Sequence, residues 1–349
     1  MPRDPNDFSV MYNYVRSRQL EGTFPGDHRT GCWPITAYRV MAGWGAVLEA
    51  DWPYSGRAAA WPPTDTMPDL DEKAKSLRLR CYQRVRNIED ARTYLFRNGP
   101  FGAAVWITPQ WSESPNGLIE MPSASNPTTE THFVSIIGYD DVTRQLQFAN
   151  SWGAGWGDRG FGVFSYDYFS NYFFEAWTPV DVPSDIPELT PSISDLPTIQ
   201  LWGIQDASLT TVLHGVDLYD PCTDERQGWA FAVERNGALE IEELYVRPVF
   251  RRKHRGTTLL RELVEISDKQ NLPLGVWIPH ADVSARNLYR ADRLLKSAGL
   301  ARRSSGNRWA SFKYDATAKL ATTSDPGAAS APSRPGSSLD ALGVVLNRK

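Results

Sequence analysis

An α+β protein of two domains is what the 349 residues predict. Three observations carry that expectation. The length exceeds the roughly 250 to 300 residues at which one hydrophobic core stops growing. In the first half, helical apolar spacing gives way to strand-like runs rather than alternating with them. Between the halves, Pro179, Pro183, Pro187 and Pro191 recur every fourth residue and Pro197 follows. A proline once per turn removes donors and clashes with the turn before it, so residues 178–197 predict an extended, semi-rigid linker.

Taken in order, residues 8–18 and 35–48 have the spacing of helices, and residues 101–107, 133–139 and 146–150 read as strands. After the proline-rich stretch, residues 229–234 and 239–246 read as a hairpin turned by Asn236 and Gly237. An amphipathic helix over 257–268, a strand over 274–278 and a helix over 285–298 follow. From 321 to 338, 16 of 18 residues are Ala, Thr, Ser, Pro or Gly. That composition cannot bury enough apolar surface to offset chain entropy, which predicts a disordered tail.

Hydrophobic residues make up 41% and charged residues 22%, enough apolar material for packed cores. No apolar run approaches the ~18 residues that span a bilayer, and the first twenty residues lack the basic and hydrophobic regions of a signal peptide. Cys32, Cys81 and Cys222 are odd in number and far apart, without metal-ligand spacing, so a reducing cytoplasm and no metal site are expected. The charge is uneven: 16 Lys and Arg face 24 Asp and Glu over residues 1–197, and 18 face 15 over residues 198–320. The basic excess of the second half suits an anionic ligand but is too small to predict nucleic-acid binding.

Two constellations carry chemistry. In the first, His132 opens the run His-Phe-Val-Ser-Ile-Ile-Gly-Tyr-Asp-Asp, and eighteen residues later comes Asn150-Ser151-Trp152-Gly153-Ala154-Gly155-Trp156-Gly157, then Gly160. This pattern resembles the histidine and asparagine segments of papain-like cysteine peptidases of the C1 family. The likeness extends over residues 8–180 and includes Glu49 followed by Pro53 and Tyr54. It implies that His132 is the base and acid, that Asn150 accepts from its other ring nitrogen, and that Trp152 shields that bond. A thiol is made nucleophilic by such an imidazole.

Cys32, in Gly31-Cys32-Trp33-Pro34, tempts as that thiol. However, Gly26 stands where the family places the glutamine of its oxyanion hole. The twenty residues between Cys32 and Trp52 are also too few for the family's nucleophile helix and the loops after it. The better register matches Gly31, Cys32, Ala37, Gly45 and Glu49 to a later segment. On that register the nucleophile lies upstream of Met1, and the chain is either cut short or a degenerate, inactive version. Cys81 and Cys222 read as buried small hydrophobes.

In the second constellation, a strand ending at Val246 is followed by Arg247-Pro248-Val249-Phe250-Arg251-Arg252-Lys253-His254-Arg255-Gly256-Thr257, and then by a leucine-rich helix. Strand, basic loop and helix start together present uncapped amides and a positive helix end to one point, which makes an anion site. The run is similar to the acetyl-CoA pyrophosphate loop of the GNAT N-acetyltransferases through Val246, Pro248, Phe250, Arg251, Gly256, Thr257, Leu259 and Leu260. The likeness covers residues 198–314. It implies acetyl-CoA as cofactor, held by Tyr245, Val246, Arg251, Arg252, Lys253, His254, Arg255, Gly256 and Thr257, and an amine as acceptor.

His254 departs from the family by standing where the first glycine usually is. The tyrosine that often protonates the leaving thiolate falls on Leu295, with Tyr289 on another face of its helix. Glu240, which shares a strand face with Glu242 in this reading, is the candidate base. The whole then reads as a papain-like two-lobe domain with an incomplete helical lobe (1–180), a linker (181–197), a mixed α/β GNAT domain (198–320) and a disordered tail (321–349). The expectation is a bacterial-type cytoplasmic protein that takes a peptide or protein substrate, contacts neither nucleic acid nor membrane, and has an oligomeric state the sequence leaves open. A peptide-binding protein with both sites decayed is the alternative.

Overall fold

Ser9 starts the first helix, α1 (Val10–Glu21), by accepting a hydrogen bond from the Tyr12 amide at 3.2 Å, and Gly22, with φ of 70°, ends it in the left-handed conformation. The computed structural model describes residues 6–26, 30–54, 67–180, 197–204, 212–220, 223, 225–276, 293–295, 301–304 and 310–313. The chain divides into two units, Met1–Val182 and Pro183–Lys349.

In the first unit, α1 packs against α2 (Pro34–Gly43) through Met11, Tyr12, Val15, Val40 and Trp44. The helix expected over 35–48 stops at Gly43 because Gly45 takes a φ of 107°, where a Cβ would lie 1.8 Å from the Ala74 carbonyl oxygen. α3 (Met67–Ala74) is tied to α1 by Asp71, which accepts from Tyr12 Oη at 2.8 Å and from Arg16.

A six-stranded antiparallel sheet follows, made of β1 (Cys81–Val85), β2 (Phe101–Ile107), β3 (Glu130–Asp140), β4 (Gln145–Ala149), β5 (Phe161–Ser165) and β6 (Phe173–Val180). Their spatial order is β1-β6-β2-β3-β4-β5. One face carries Ala103, Val105, Ile136, Phe148 and Phe164 into a core with α4 (Ile88–Asn98) and α5 (Tyr166–Tyr172). On the other side, Glu175 of β6 accepts the Ile35 amide at the start of α2 at 3.0 Å, and Tyr38 donates to the Trp177 carbonyl. A carboxylate at a helix N-terminus is favoured by the helix dipole, so α2 is anchored to the sheet from its first turn.

The linker expected over 178–197 begins too early. Thr178, Pro179 and Val180 complete β6, and Pro179 lies two residues past the last pairing with β2 (Gly102 with Trp177), where its missing N–H breaks no ladder bond on that side. Residues 181–196 of that segment lie outside the described residues, as do the tail, Cys222, Tyr289 and most of the helix expected over 285–298; residues 293–295 of it are helical.

The second unit is a seven-stranded sheet ordered β12-β13-β11-β10-β9-β8-β7. Its strands are β7 (Thr198–Ile204), β8 (Leu213–Tyr219), β9 (Arg226–Arg235), β10 (Ala238–Val246), β11 (Leu274–Val276), β12 (Ala301–Ser304) and β13 (Ala310–Lys313). The expected hairpin is β9 and β10, with Asn236 and Gly237 both at positive φ. Two strands, β7 and β8, precede it without having been expected. β8 hides a charge in its middle: Asp217 is fully buried, pairs with buried Arg226 and accepts from Trp202 Nε1 at 3.2 Å. α6 (Arg255–Gln270) crosses one face of the sheet, where Leu259, Leu260 and Leu263 meet Val216, Ala232 and Ile241. β10 and β11 are parallel, paired over Leu239–Ile241 and Leu274–Val276, and β10 runs on to Val246 past that pairing.

Among the described residues, no helix is long and apolar enough to cross a membrane, and no group of three or more His, Cys, Asp or Glu could hold a metal ion.

Candidate functional site

His132 is the third residue of β3, opposite Val105 of the central strand β2, and Asn150 directly follows β4. Two adjacent antiparallel strands thus deliver the pair, and His132 Nε2 lies 2.8 Å from Asn150 Oδ1. The Ser151 amide also donates to Asn150 Oδ1 at 2.8 Å. An amide N–H can only donate, so this atom is the carboxamide oxygen, and Nε2 must be the protonated ring nitrogen. Neutral His132 therefore carries its lone pair on Nδ1, the arrangement of a base ready to take a proton.

Trp152 covers the pair, its ring 4.8 Å from that of His132 and inclined by 34°, while remaining 40% exposed on its outer side. The turn that carries Trp152 needs its glycines. Gly153, Gly157 and Gly160 all have positive φ, and a Cβ on Gly157 would lie 2.4 Å from the Phe161 carbonyl oxygen. Trp111, which the sequence reading passed over, stands edge-on to His132 at 6.4 Å. It donates to Tyr168 Oη at 3.1 Å, and its carbonyl accepts from Trp156 Nε1 at 2.6 Å. Its only sequence signal is an aromatic residue two places after Pro109, at the head of a loop. Asn150 Nδ2 is buried and has no hydrogen-bond partner among the described residues.

Neither described cysteine joins this pair. Cys81 lies in β1, separated from β3 by β6 and β2, which at the usual strand spacing is about 14 Å. Cys32 sits against α1, hydrogen-bonded to Ser17. Burial first, and then the Glu21 carboxylate, push its thiol up to about 11. That is opposite in direction to a thiol activated by an imidazolium. No hydrogen bond joins Cys32 to His132 among the described residues.

In the second unit, the loop after Val246 folds as a short turn over Pro248–Phe250 and then reaches His254, which precedes α6 with a φ of 57° and no side-chain cap. The positive φ explains why a glycine is at home here. A histidine accepts the conformation at a cost of order 1 kcal/mol. The first helical hydrogen bond runs from the Thr258 amide to the His254 carbonyl at 3.0 Å. The amides of Arg255, Gly256 and Thr257 precede it, at the positive end of a sixteen-residue helix. A Cβ added to Gly256 would meet nothing closer than 3.8 Å, so the fold itself does not demand glycine there. Amides at a helix start that no helical carbonyl takes up suit an anion such as a diphosphate, and on that ground these residues fit an acyl-CoA cofactor.

The five cations of the loop divide in two. Arg247 pairs with Glu225 at 2.8 Å, Arg251 Nε donates to the Val246 carbonyl at 3.0 Å, and Arg255 Nε donates to Gln227 Oε1 at 2.8 Å. Those three side chains hold the loop together, while Arg252 and Lys253 are exposed. Tyr245 is buried, its ring 4.9 Å from that of Trp229 and tilted by 39°, and Val246 belongs to the core under α6.

Glu240 and Glu242, expected on one strand face, differ in burial. A bulge falls between Ile241 and Glu243. Glu242 and its neighbour Glu243 are both fully buried, and Glu240, opposite Val233, is half-buried. Leu295, at the position of the family's proton donor, is a core residue at 4% exposure.

One unit carrying a tautomer-fixed histidine and asparagine on an antiparallel sheet, and one carrying a basic loop between a strand and a helix start, together define a peptidase-like module followed by an acyltransferase-like one. Comparison with known proteins agrees. The papain family cysteine protease model matches residues 26–172, and the acetyltransferase (GNAT) family model matches residues 191–292. The chain carries a papain-family C1 peptidase domain and, after it, a GNAT acetyltransferase domain, and its fold class is α+β.

Gamete and mating-type specific protein A of Dictyostelium discoideum is 32% identical over 65 residues, 19% of this chain and 14% of that protein. Among solved structures, xylellain, a cysteine protease from Xylella fastidiosa, is 24% identical with a TM-score of 0.46, over 52% of this chain and 73% of that one. Procathepsin L 3 of Tenebrio molitor is 16% identical with a TM-score of 0.37, over 50% and 56%.

Proposed function

We propose that the GNAT domain transfers an acetyl group from acetyl-CoA to an amine, and that the papain-family domain presents or processes a peptide or protein. The single observation that carries the transferase reading is the set of amides at Arg255, Gly256 and Thr257, uncommitted within the helix and lying directly after the loop that follows β10. Bound there, acetyl-CoA supplies an activated thioester. The amides and the helix dipole hold the diphosphate, and Arg252 and Lys253, exposed on the same loop, add positive potential. Half-buried Glu240 is the group proposed to take the proton from the acceptor amine. With Leu295 in the core, that position offers no proton to a leaving group, and much of the acceleration would come from positioning the two reactants.

In the first domain, His132 and Asn150 are proposed as the base and its orienting partner, with Trp152 as their cover. The thiol they would activate is assigned to neither Cys32 nor Cys81, since the first is pushed up by burial and the second lies at the far edge of the sheet. A cytoplasmic, bacterial-type setting is part of the same proposal.

Calorimetric titration with acetyl-CoA tests the transferase: binding in the micromolar range is expected. Absence of binding, or binding that Arg251→Ala leaves unchanged, refutes it. A thiol-directed peptidase probe tests the other half. Labelling that is lost in Cys32→Ser and kept in Cys81→Ser would make Cys32 the nucleophile and overturn its exclusion.

A further inference from the structure

The loop between Val246 and α6 is fastened at both of its ends to one short piece of neighbouring backbone, residues 225–227 at the head of β9. At the near end, the Arg247 amide donates to the Gln227 carbonyl at 3.0 Å. Arg247 Nη1 donates to the Arg226 carbonyl at 3.1 Å and pairs with Glu225. At the far end, Arg255, the first residue of α6, donates through Nε to Gln227 Oε1 at 2.8 Å. The Gln227 carboxamide is itself held, because its Nε2 donates to Asp220 Oδ2 at 3.4 Å, which settles which end of the amide faces Arg255. Gln227 is 3% exposed, so this arrangement is shielded from competing water.

We propose that Gln227 is a positioning residue for the diphosphate site. It contacts no ligand but sets the direction of the first turn of α6, and with it the Arg255, Gly256 and Thr257 amides. The inference rests on the transferase reading and adds to it a residue more than twenty positions upstream of the loop. The chemistry explains why a glutamine serves here. A neutral acceptor orients the Arg255 guanidinium without cancelling its charge, so the helix start stays positive. At the other end of the loop, away from those amides, Glu225 neutralises Arg247.

The test is a double-mutant cycle on the full chain, with acetyl-CoA affinity measured by calorimetry. Gln227→Met, which keeps the volume and removes the acceptor, is expected to weaken acetyl-CoA binding about tenfold, as losing a buried hydrogen bond to a charged group does. In an Arg255→Met background the same change should have an effect of less than about twofold, because the partner it acts through is gone. Gln227→Glu, which offers Arg255 an acceptor but cancels its charge and sets a second carboxylate against Asp220, should bind no more tightly than Gln227→Met. A residue needed only for folding would lower affinity equally in both backgrounds. Two outcomes overturn the inference while leaving the transferase reading intact: Gln227→Met binding as the unmodified chain does, or the two substitutions multiplying. An unmodified chain that binds no acetyl-CoA sinks the transferase reading itself, and this inference with it.

Discussion

Gly256→Ala separates what the fold needs from what a ligand needs, because the two respond with opposite sign. Gly256 is the second residue of α6 and has no positive φ to excuse it. The nearest atoms to an added Cβ are Leu294 Cδ2 and Val246 Cγ2, each at 3.8 Å, with Leu244 Cδ2 at 4.0 Å, all ordinary van der Waals contact. Alanine there narrows the unfolded ensemble and favours the helix, so the protein should become more stable by about 0.5 to 1 kcal/mol. For a unit of this size that is a rise of roughly 1 to 4 °C in Tm.

The proposed binding mode brings a diphosphate up against the backbone at Gly256, where an added methyl group would reduce the room. Acetyl-CoA affinity should fall at least about tenfold, or about 1.4 kcal/mol. Thermal denaturation of the free protein and calorimetric titration with acetyl-CoA read the two effects independently. A lower Tm would show that the Leu294, Val246 and Leu244 side chains do not accommodate the methyl group. Unchanged affinity would show that these amides do not hold the diphosphate, whatever happened to stability.

The buried Asp217–Arg226 pair makes a stability prediction. Asp217→Ala leaves the guanidinium buried over Trp229 and Phe231 without its carboxylate and should cost about 3 to 5 kcal/mol in chemical denaturation. Asp217→Leu combined with Arg226→Met should recover most of that loss, and a double variant no better than the single one would refute the account. Cys32 makes a pH prediction. A thiol pushed up to about 11 has less thiolate at every lower pH than an ordinary one, so alkylation by iodoacetamide at pH 8 should be about a hundredfold slower than for a free cysteine. The rate should climb about tenfold per pH unit toward 11, and a plateau below pH 9 would contradict the burial argument.

Where sequence and structure agree, a strong local rule was at work. The strand Phe101–Ile107 is bounded by Pro100 before it and Thr108-Pro109 after it, and it lies at the centre of a sheet, so its apolar run admits little else. Asn236 and Gly237 announce the β9–β10 turn by their tolerance of positive φ. β7 and β8 were illegible because their pattern is broken by what they bury: Asp217 pairs with Arg226 of β9, and Gly215 makes room for the Trp202 ring, which would lie 1.9 Å from a Cβ. Both partners are distant in sequence, so the polar and glycine positions look like turn residues until the sheet is assembled. The bulge at Glu242 was hidden for the same reason, since only the register against β9 reveals the extra residue. The first turn of α6 was likewise placed two residues late, at Thr257, because Arg255 reads as loop until its side chain is seen bonded to Gln227.

The two halves therefore differ in how completely their chemistry is assembled by their own residues. In the GNAT domain, three of the five loop cations are committed to bonds within the fold, Arg247 and Arg251 to carbonyls and Arg255 to the Gln227 side chain. In the papain-family domain, Ser151 and Asn150 commit His132 to one tautomer with an unprotonated Nδ1, and Trp152 covers the bond that fixes it. Such fixing has a chemical purpose only if a proton donor can reach Nδ1, and among the described residues neither Cys32 nor Cys81 is hydrogen-bonded to His132. The geometry around His132 thus fixes one tautomer, with Nδ1 as the unprotonated nitrogen of the neutral ring. A substrate or partner bringing an acidic proton to that nitrogen is the group whose identity decides what the domain does.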